Sequence, residues 1–159
     1  MAKKILIAYF SATGETERAA SKIAKATGGD MFEIKPVVPY TKADLDWNDK
    51  NSRSSTEMRS LARPEIADKV ENMPIYDVVF VGFPIWWYMA PTIVNGFLAS
   101  YDFAGKKVVP FATSGSSDIN KAEVVLQSLC SKDAEWLPGK LMNGMTLDQI
   151  DEWIASLGL

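Results

Sequence analysis

The sequence predicts an α/β protein, an open and doubly wound parallel sheet of five strands with helices on both faces. Three observations carry that expectation. Residues 4–10, 77–83 and 107–112 are apolar almost throughout rather than alternating, as expected of strands buried on both faces of a parallel sheet. Segments with helical spacing separate these runs, which calls for right-handed crossovers between parallel strands. Finally, the runs end in loops rich in hydroxyls, glycine or aromatics, and open sheets of this kind bind ligands beyond the carboxyl ends of their strands.

The elements follow in order. Residues 4–10 form the first strand, and Ala19, Ala20, Ile23 and Ala24 then recur at helical spacing until Gly28 and Gly29 end the helix. A short second strand covers residues 31–35. Residues 36–76 are irregular and mostly polar between Tyr40 and Arg63, so they read as an excursion over one face, with Thr41 capping a helix that carries Leu45 and Trp47. The third strand spans residues 77–83. Pro91 suits the first position of a helix running to about Ser100. A fourth strand at residues 107–112, a helix over 120–130 and a short strand over 134–137 follow. The last helix opens with a capping box, Thr146 with Gln149, and buries Ile150, Trp153, Ile154 and Leu157.

Composition narrows the function. A chain of 159 residues, 47% hydrophobic and 23% charged, holds one core and is too short for two ordinary domains, so residues 1–159 read as one domain. The longest apolar stretch, residues 78–90, is broken by Gly82 and Pro84 and falls short of the roughly 20 residues that cross a bilayer. No membrane association is expected. The apolar run after Lys3 and Lys4 leads straight into polar Ser11 and Thr13, unlike a signal peptide, and the expected location is cytoplasmic. A single cysteine, Cys130, allows no intramolecular disulfide, and the absence of histidine removes the usual zinc sets and histidine-based triads, so no metal site is expected. A net charge of −3 without a dense Lys/Arg cluster argues against nucleic acid.

Three loops at strand ends carry the chemistry. In Ser11-Ala12-Thr13-Gly14-Glu15-Thr16, free N–H groups at a helix N-terminus and three hydroxyls suit a terminal phosphate, with Gly14 permitting close approach. The loop lacks the lysine of a Walker A motif and the glycines of a dinucleotide fingerprint; a hydroxyl-rich helix cap has the same composition. In Pro84-Ile85-Trp86-Trp87-Tyr88-Met89-Ala90-Pro91, three consecutive aromatics cannot all be buried on one side of an element, so some line a pocket for a planar ligand or an interface. Thr113-Ser114-Gly115-Ser116-Ser117-Asp118 can bring donors to the polar edge of a ring, or form an ordinary turn.

On these segments the chain resembles the flavodoxin-like family across nearly its whole length, Ser11-x-Thr13-Gly14-x-Thr16 matching the family's FMN phosphate loop. The resemblance implies strand order 2-1-3-4-5 with FMN at the switch point between the first and third strands; flavodoxin itself exemplifies that placement, which is therefore carried over from the family. It further implies that Ser11, Thr13, Gly14, Glu15 and Thr16 hold the phosphate, and that Pro84, Ile85, Trp86, Trp87, Tyr88 and Thr113, Ser114, Gly115, Ser116 border the isoalloxazine. Two positions depart from the pattern. Glu15 stands where Asn or Gln is common, and its carboxylate must turn away from a phosphate, leaving only its N–H. Residues 84–91 contain no glycine, whereas electron-carrying flavodoxins place one beside flavin N5, where a peptide flip stabilises the one-electron state.

Pro84, Trp87, Tyr88 and Pro91 are also similar to the flavin-edge loop of quinone reductases of this fold. That likeness, with the mild net charge, implies an FMN-dependent two-electron oxidoreductase taking electrons from NAD(P)H or a reductase and reducing quinones or similar small acceptors. The alternatives are a non-enzymatic electron carrier between redox protein partners, and a flavin-free binding module. Quinone reductases of this fold are often dimers, which places a homodimer among the expectations. Tyr88 either hydrogen-bonds a substrate oxygen or packs, and Tyr40 and Trp47 either cover the flavin or anchor the excursion. Cys130 is expected as a buried structural thiol, Asp44 and Asp46 as solvated carboxylates, and Trp136 and Trp153 as core.

Overall fold

Residues 3–114 and 118–159 are described by a computed structural model. Its parallel sheet is built from β1 (Ile5–Tyr9), β2 (Asp30–Glu33), β3 (Val78–Pro84), β4 (Lys107–Thr113), β5 (Glu135–Trp136) and β6 (Lys140–Leu141). The order is β2-β1-β3-β4-β5, with β6 also paired to β4. The expected doubly wound sheet in order 2-1-3-4-5 is therefore the observed one. Its fifth position, however, is two short strands rather than one. β5 pairs with Lys107 and Val108 and β6 with Phe111 and Ala112. Between them the Gly139 N–H donates to a carboxylate oxygen of Glu123 at 2.8 Å, so a side chain occupies the place of a neighbouring strand.

The continuous apolar runs follow from the two-sided burial. Along residues 6–10, Leu6, Ala8 and Phe10 join one core while Ile7 and Tyr9 join the other, so adjacent residues serve opposite faces. The first core is closed by α3 (Thr92–Ala99) and α4 (Asn120–Leu129), through Ile93, Phe97 and Leu126. The second is closed by α1 (Glu15–Thr27) and α5 (Leu147–Ser156), through Ile23, Ile150 and Trp153. α1 stops where expected: Gly28 takes φ 72° and its N–H reaches the Ala24 carbonyl at 2.8 Å. Both halves of the capping box of α5 form, Thr146 and Gln149 each accepting the other's backbone N–H. Pro91 is the N-cap residue of α3 rather than its first helical residue. Among the described residues no helix is long and apolar enough to cross a membrane.

The excursion differs from expectation. Thr41 and Asp44 cap each other reciprocally at 2.9 and 3.1 Å, but only turns follow. The Asp46 and Asp49 carboxylates accept the N–H groups of Asn48 and Asn51, which diverts the backbone from a helical path. The helix lies later, at α2 (Arg53–Ser60), capped by the Ser52 hydroxyl. Arg53 then ties the segment down. Its guanidinium stacks 3.9 Å from the Tyr40 ring centroid, pairs with Glu57 at 2.9 Å and donates to the Val38 carbonyl at 2.7 Å.

Gly82 lies opposite Phe111 in the β3–β4 register, and a Cβ there would overlap the Phe111 ring. The Gly82→Ala variant is expected to lose about 1–3 kcal/mol of stability in urea denaturation, because the buried ring has nowhere to move.

Candidate functional site

The three loops meet because β1, β3 and β4 are parallel neighbours and all end at the same edge of the sheet. Hydrogen bonds join the loops there. The Thr16 and Thr113 hydroxyls lie 2.9 Å apart, buried, linking the first loop to the third across the sheet edge. The Ile85 N–H donates to the Thr113 carbonyl at 2.9 Å, linking the second to the third.

In the first loop Gly14 takes φ 95°, a left-handed conformation that turns the chain sharply into α1. The Ser11 hydroxyl oxygen accepts the N–H groups of Gly14 and Glu17 at 3.0 and 3.2 Å. A hydroxyl has two acceptor sites and one proton, so Ser11 retains that proton for a further acceptor. The N–H groups of Glu15 and Thr16 lie in the first helical turn and have no intrahelical acceptor. The Glu15 carboxylate is exposed and pairs with Arg18 at 3.3 Å, and Thr13 is exposed at the loop's tip. The result is a helix end with donors at close quarters, and the exposed Arg18 guanidinium lies beside Gly14 and Glu15.

The second loop divides its aromatics between two jobs. Trp86 turns inward and packs edge-on against Phe10 and Tyr40, with ring centroids 5.8 and 5.7 Å away. Its backbone pairs with Met89 in both directions, at 2.8 and 3.0 Å, which leaves Trp87 and Tyr88 as the central residues of a two-residue turn. Their φ values are 48° and 66°. Two positive φ angles make this a type I′ turn, the place where Asn-Gly is favoured. An L-residue with a large side chain costs roughly 1–2 kcal/mol in that region. The turn carries the two rings outward, 45% and 57% exposed, at the rim of a cleft of about 310 Å³. Trp47, Leu45, Ser54, Ile85 and Trp86 complete its lining. Pro84, the last residue of β3, pairs in register with Thr113 and fixes the base of the loop.

In the third loop Thr113 is buried and the Ser114 N–H donates to Asn143 Oδ1 at 2.8 Å. Asn143 follows β6, and its own sequence neighbourhood does not mark it as a site residue. The Asn143-Gly144 pair there reads only as a turn, and the contact with Ser114 arises between residues distant in the chain. Gly115 and Ser116 lie outside the described residues.

The open alternatives for Tyr40 and Trp47 separate. Tyr40 anchors the excursion: its hydroxyl bonds the Glu57 carboxylate, and its ring lies between Arg53 and Trp86. Burial, followed by Glu57, pushes its pKa well above the ordinary tyrosine value. Trp47 stands at the cleft, 68% exposed. Asp44 is paired with Arg53 as well as capping Thr41, so it is a structural acid rather than a free one. Cys130 sits just past α4, half-buried rather than fully so, and burial raises its thiol pKa.

Replacing Tyr88 with glycine relieves one left-handed position, and the variant is expected to be more stable by about 1 kcal/mol in urea denaturation. At high pH the sign is fixed by Tyr40, raised as above, and by Tyr9, pushed up to about 12 by burial and then by Glu17 and Glu33. Below the ordinary tyrosine pKa of about 10 both states hold these protons; above it the unfolded chain loses them first, so stability falls as pH rises. Urea midpoints from about pH 9 to about pH 11 are expected to fall, and to fall less steeply in Tyr40→Phe.

A family model described as flavodoxin matches residues 4–157. The chain is 50% identical to a candidate flavoprotein from Bacteroides eggerthii DSM 20697, with 99% of each chain covered and a TM-score of 0.94. It is also 50% identical to a candidate flavoprotein from Bacteroides uniformis ATCC 8492, with 98% and 99% covered and a TM-score of 0.91. A Lactobacillus acidophilus NCFM flavoprotein solved in complex with FMN shares the fold, at 22% identity, 96% and 99% coverage and a TM-score of 0.71. No curated protein matches the chain.

Proposed function

The chain belongs to the flavodoxin family, and from that premise we propose that it is an FMN-dependent two-electron oxidoreductase reducing quinones or similar small acceptors. The donor is NAD(P)H or a reductase. The observation that carries this reading is the Trp87–Tyr88 turn. Two left-handed positions that favour glycine hold exposed aromatic rings instead, and those rings border a cleft of small-molecule size.

The residues present fit FMN. The phosphate, a dianion, would be held by neutral donors: the free N–H groups of Glu15 and Thr16, the exposed Thr13 hydroxyl, and the Ser11 proton left over after its oxygen accepts from Gly14 and Glu17. One hydroxyl of the Thr16–Thr113 pair donates to the other, which leaves one proton there as well. Pro84, Ile85, Trp86, Trp87 and Tyr88 supply the apolar border of the ring, and Thr113 and Ser114, steadied by Asn143, its polar edge. When bound, FMN supplies the hydride and electron chemistry. The protein's own part is to orient the ring, shed water from the aromatic rim, and offer the exposed Tyr88 hydroxyl as a donor to a substrate oxygen.

The rival carrier reading predicts a surface for protein partners and a backbone free to flip beside the flavin. Residues 84–91 hold no glycine, and the Trp86–Met89 backbone pair closes the turn from both sides. Both features favour the enzyme.

Steady-state assays decide between them. The FMN-loaded protein is expected to oxidise NADH or NADPH when a quinone is present; failure with both nucleotides, together with single-electron uptake from a reductase, would sink the enzyme reading. Ser11→Ala is expected to weaken FMN binding about tenfold while leaving riboflavin, which lacks the phosphate, almost unaffected, as read by quenching of flavin fluorescence.

A further inference from the structure

The aromatic cleft does not end at its rim. A second, open trough of about 690 Å³ adjoins it, and the two share Trp47 and Trp87. Met58 adds apolar surface to the trough, and Lys50 and Arg59 line it with positive charge. Among the described residues neither cation makes an ion pair; Arg59 donates to the Lys50 carbonyl at 2.9 Å, which holds the two positions together.

The protein is acidic overall and the excursion is rich in carboxylates, so two unpaired cations here need an account of the acids around them. Asp44 is bound to Arg53 and the Thr41 N–H, Asp46 to the Asn48 N–H, Asp49 to the Asn51 N–H, and Glu57 to Arg53 and Tyr40. None of these acids lines the trough. Asp44 and Glu57 are thus paired with Arg53, and the trough itself is lined by positive charge beside two exposed tryptophans.

We propose that this trough is the specificity site of the oxidoreductase, selecting planar aromatic substrates that carry an anionic substituent. Trp47 and Trp87 take the ring and Lys50 and Arg59 take the anion. The inference rests on the enzyme reading for its link to turnover, but the binding site itself does not. An anionic quinone acceptor and the phosphate-bearing nicotinamide nucleotide donor share this chemistry.

The test is calorimetric titration of the FMN-loaded protein with two redox-inert probes, naphthalene-2-sulfonate and the neutral naphthalene-2-methanol. The sulfonate is expected to bind about tenfold more tightly, the combined effect of two exposed charge contacts. That ratio is expected to fall close to one in the Lys50→Gln/Arg59→Gln variant, to drop partway in Lys50→Gln alone, which keeps the Arg59 hydrogen bond, and to shrink as salt rises. Trp47→Ala is expected to weaken both probes. Equal affinity for the two probes in the unaltered protein, or a preference that survives loss of both cations, overturns the proposal. Displacement of the sulfonate by NADP⁺ assigns the site to the donor, and displacement by a sulfonated naphthoquinone alone assigns it to the acceptor; either keeps the site. Turnover of neutral 2-methyl-1,4-naphthoquinone is measured in parallel. Absence of turnover both with it and with the sulfonated naphthoquinone, the sulfonate preference being intact, defeats the oxidoreductase reading and not the anion site.

Discussion

A strand covered on both faces has no position at which a polar side chain can point to water, and β1, β3 and β4 obey that constraint along most of their length. Val78, Val79, Phe80, Val81, Val108 and Val109 are completely buried, so nothing in the body of the sheet can bind a polar ligand. Chemistry is confined to the carboxyl edge, where the strands release their last backbone groups into loops. Parallel pairing then brings residues 11–16, 84–91 and 113–114 together although they lie far apart in sequence. The Thr16–Thr113 hydroxyl pair spans 97 positions of chain, and it exists only because β3 sits between the two strands that deliver it.

The same constraint explains what could be read in advance. Apolar runs that serve two cores are visible as such, so the sheet, its order by family likeness, and the capping box of α5 were all legible. Local chemistry was legible too: Gly28 ends α1 through its own left-handed conformation. What escaped depends on partners distant in sequence. The break between β5 and β6 is made by Glu123, reaching from α4 to the Gly139 N–H. The helix of the excursion begins at Arg53 rather than after Thr41, because side-chain bonds at Asp46 and Asp49 outcompete helix there and Arg53 gains a ring, a carboxylate and a carbonyl at once. Asn143 was invisible as a site residue for the same reason. Three adjacent aromatics signal that something must stay exposed, but not that Trp86 is the one turned inward.

Tyr40 and Trp47 show how one segment can serve two purposes without conflict. Tyr40 is enclosed by Arg53, Glu57, Phe10 and Trp86, which fixes the excursion to the edge of the sheet. Trp47 lies in the same segment and remains 68% exposed. An isolated exposed tryptophan needs no explanation, but Trp47 shares two adjoining concavities with Trp87, and clustered exposure of large apolar rings marks a binding surface more often than chance.

The Trp87–Tyr88 turn can be weighed against the fold that carries it. Two bulky left-handed residues together cost roughly 2–4 kcal/mol, against a net stability of about 5–15 kcal/mol for a domain. A glycine at either position would remove part of that cost. The conformation persists because it is held from three sides: the Trp86–Met89 backbone pair closes the turn, the Ile85 bond to Thr113 fixes its base, and the Phe10–Tyr40–Trp86 ring cluster keeps its first residue from rotating. An exposed loop held this way loses little freedom when a ring is laid against it, so less of the binding energy is consumed in ordering it. Strain in the folded chain and ease of binding are then two consequences of the same three contacts.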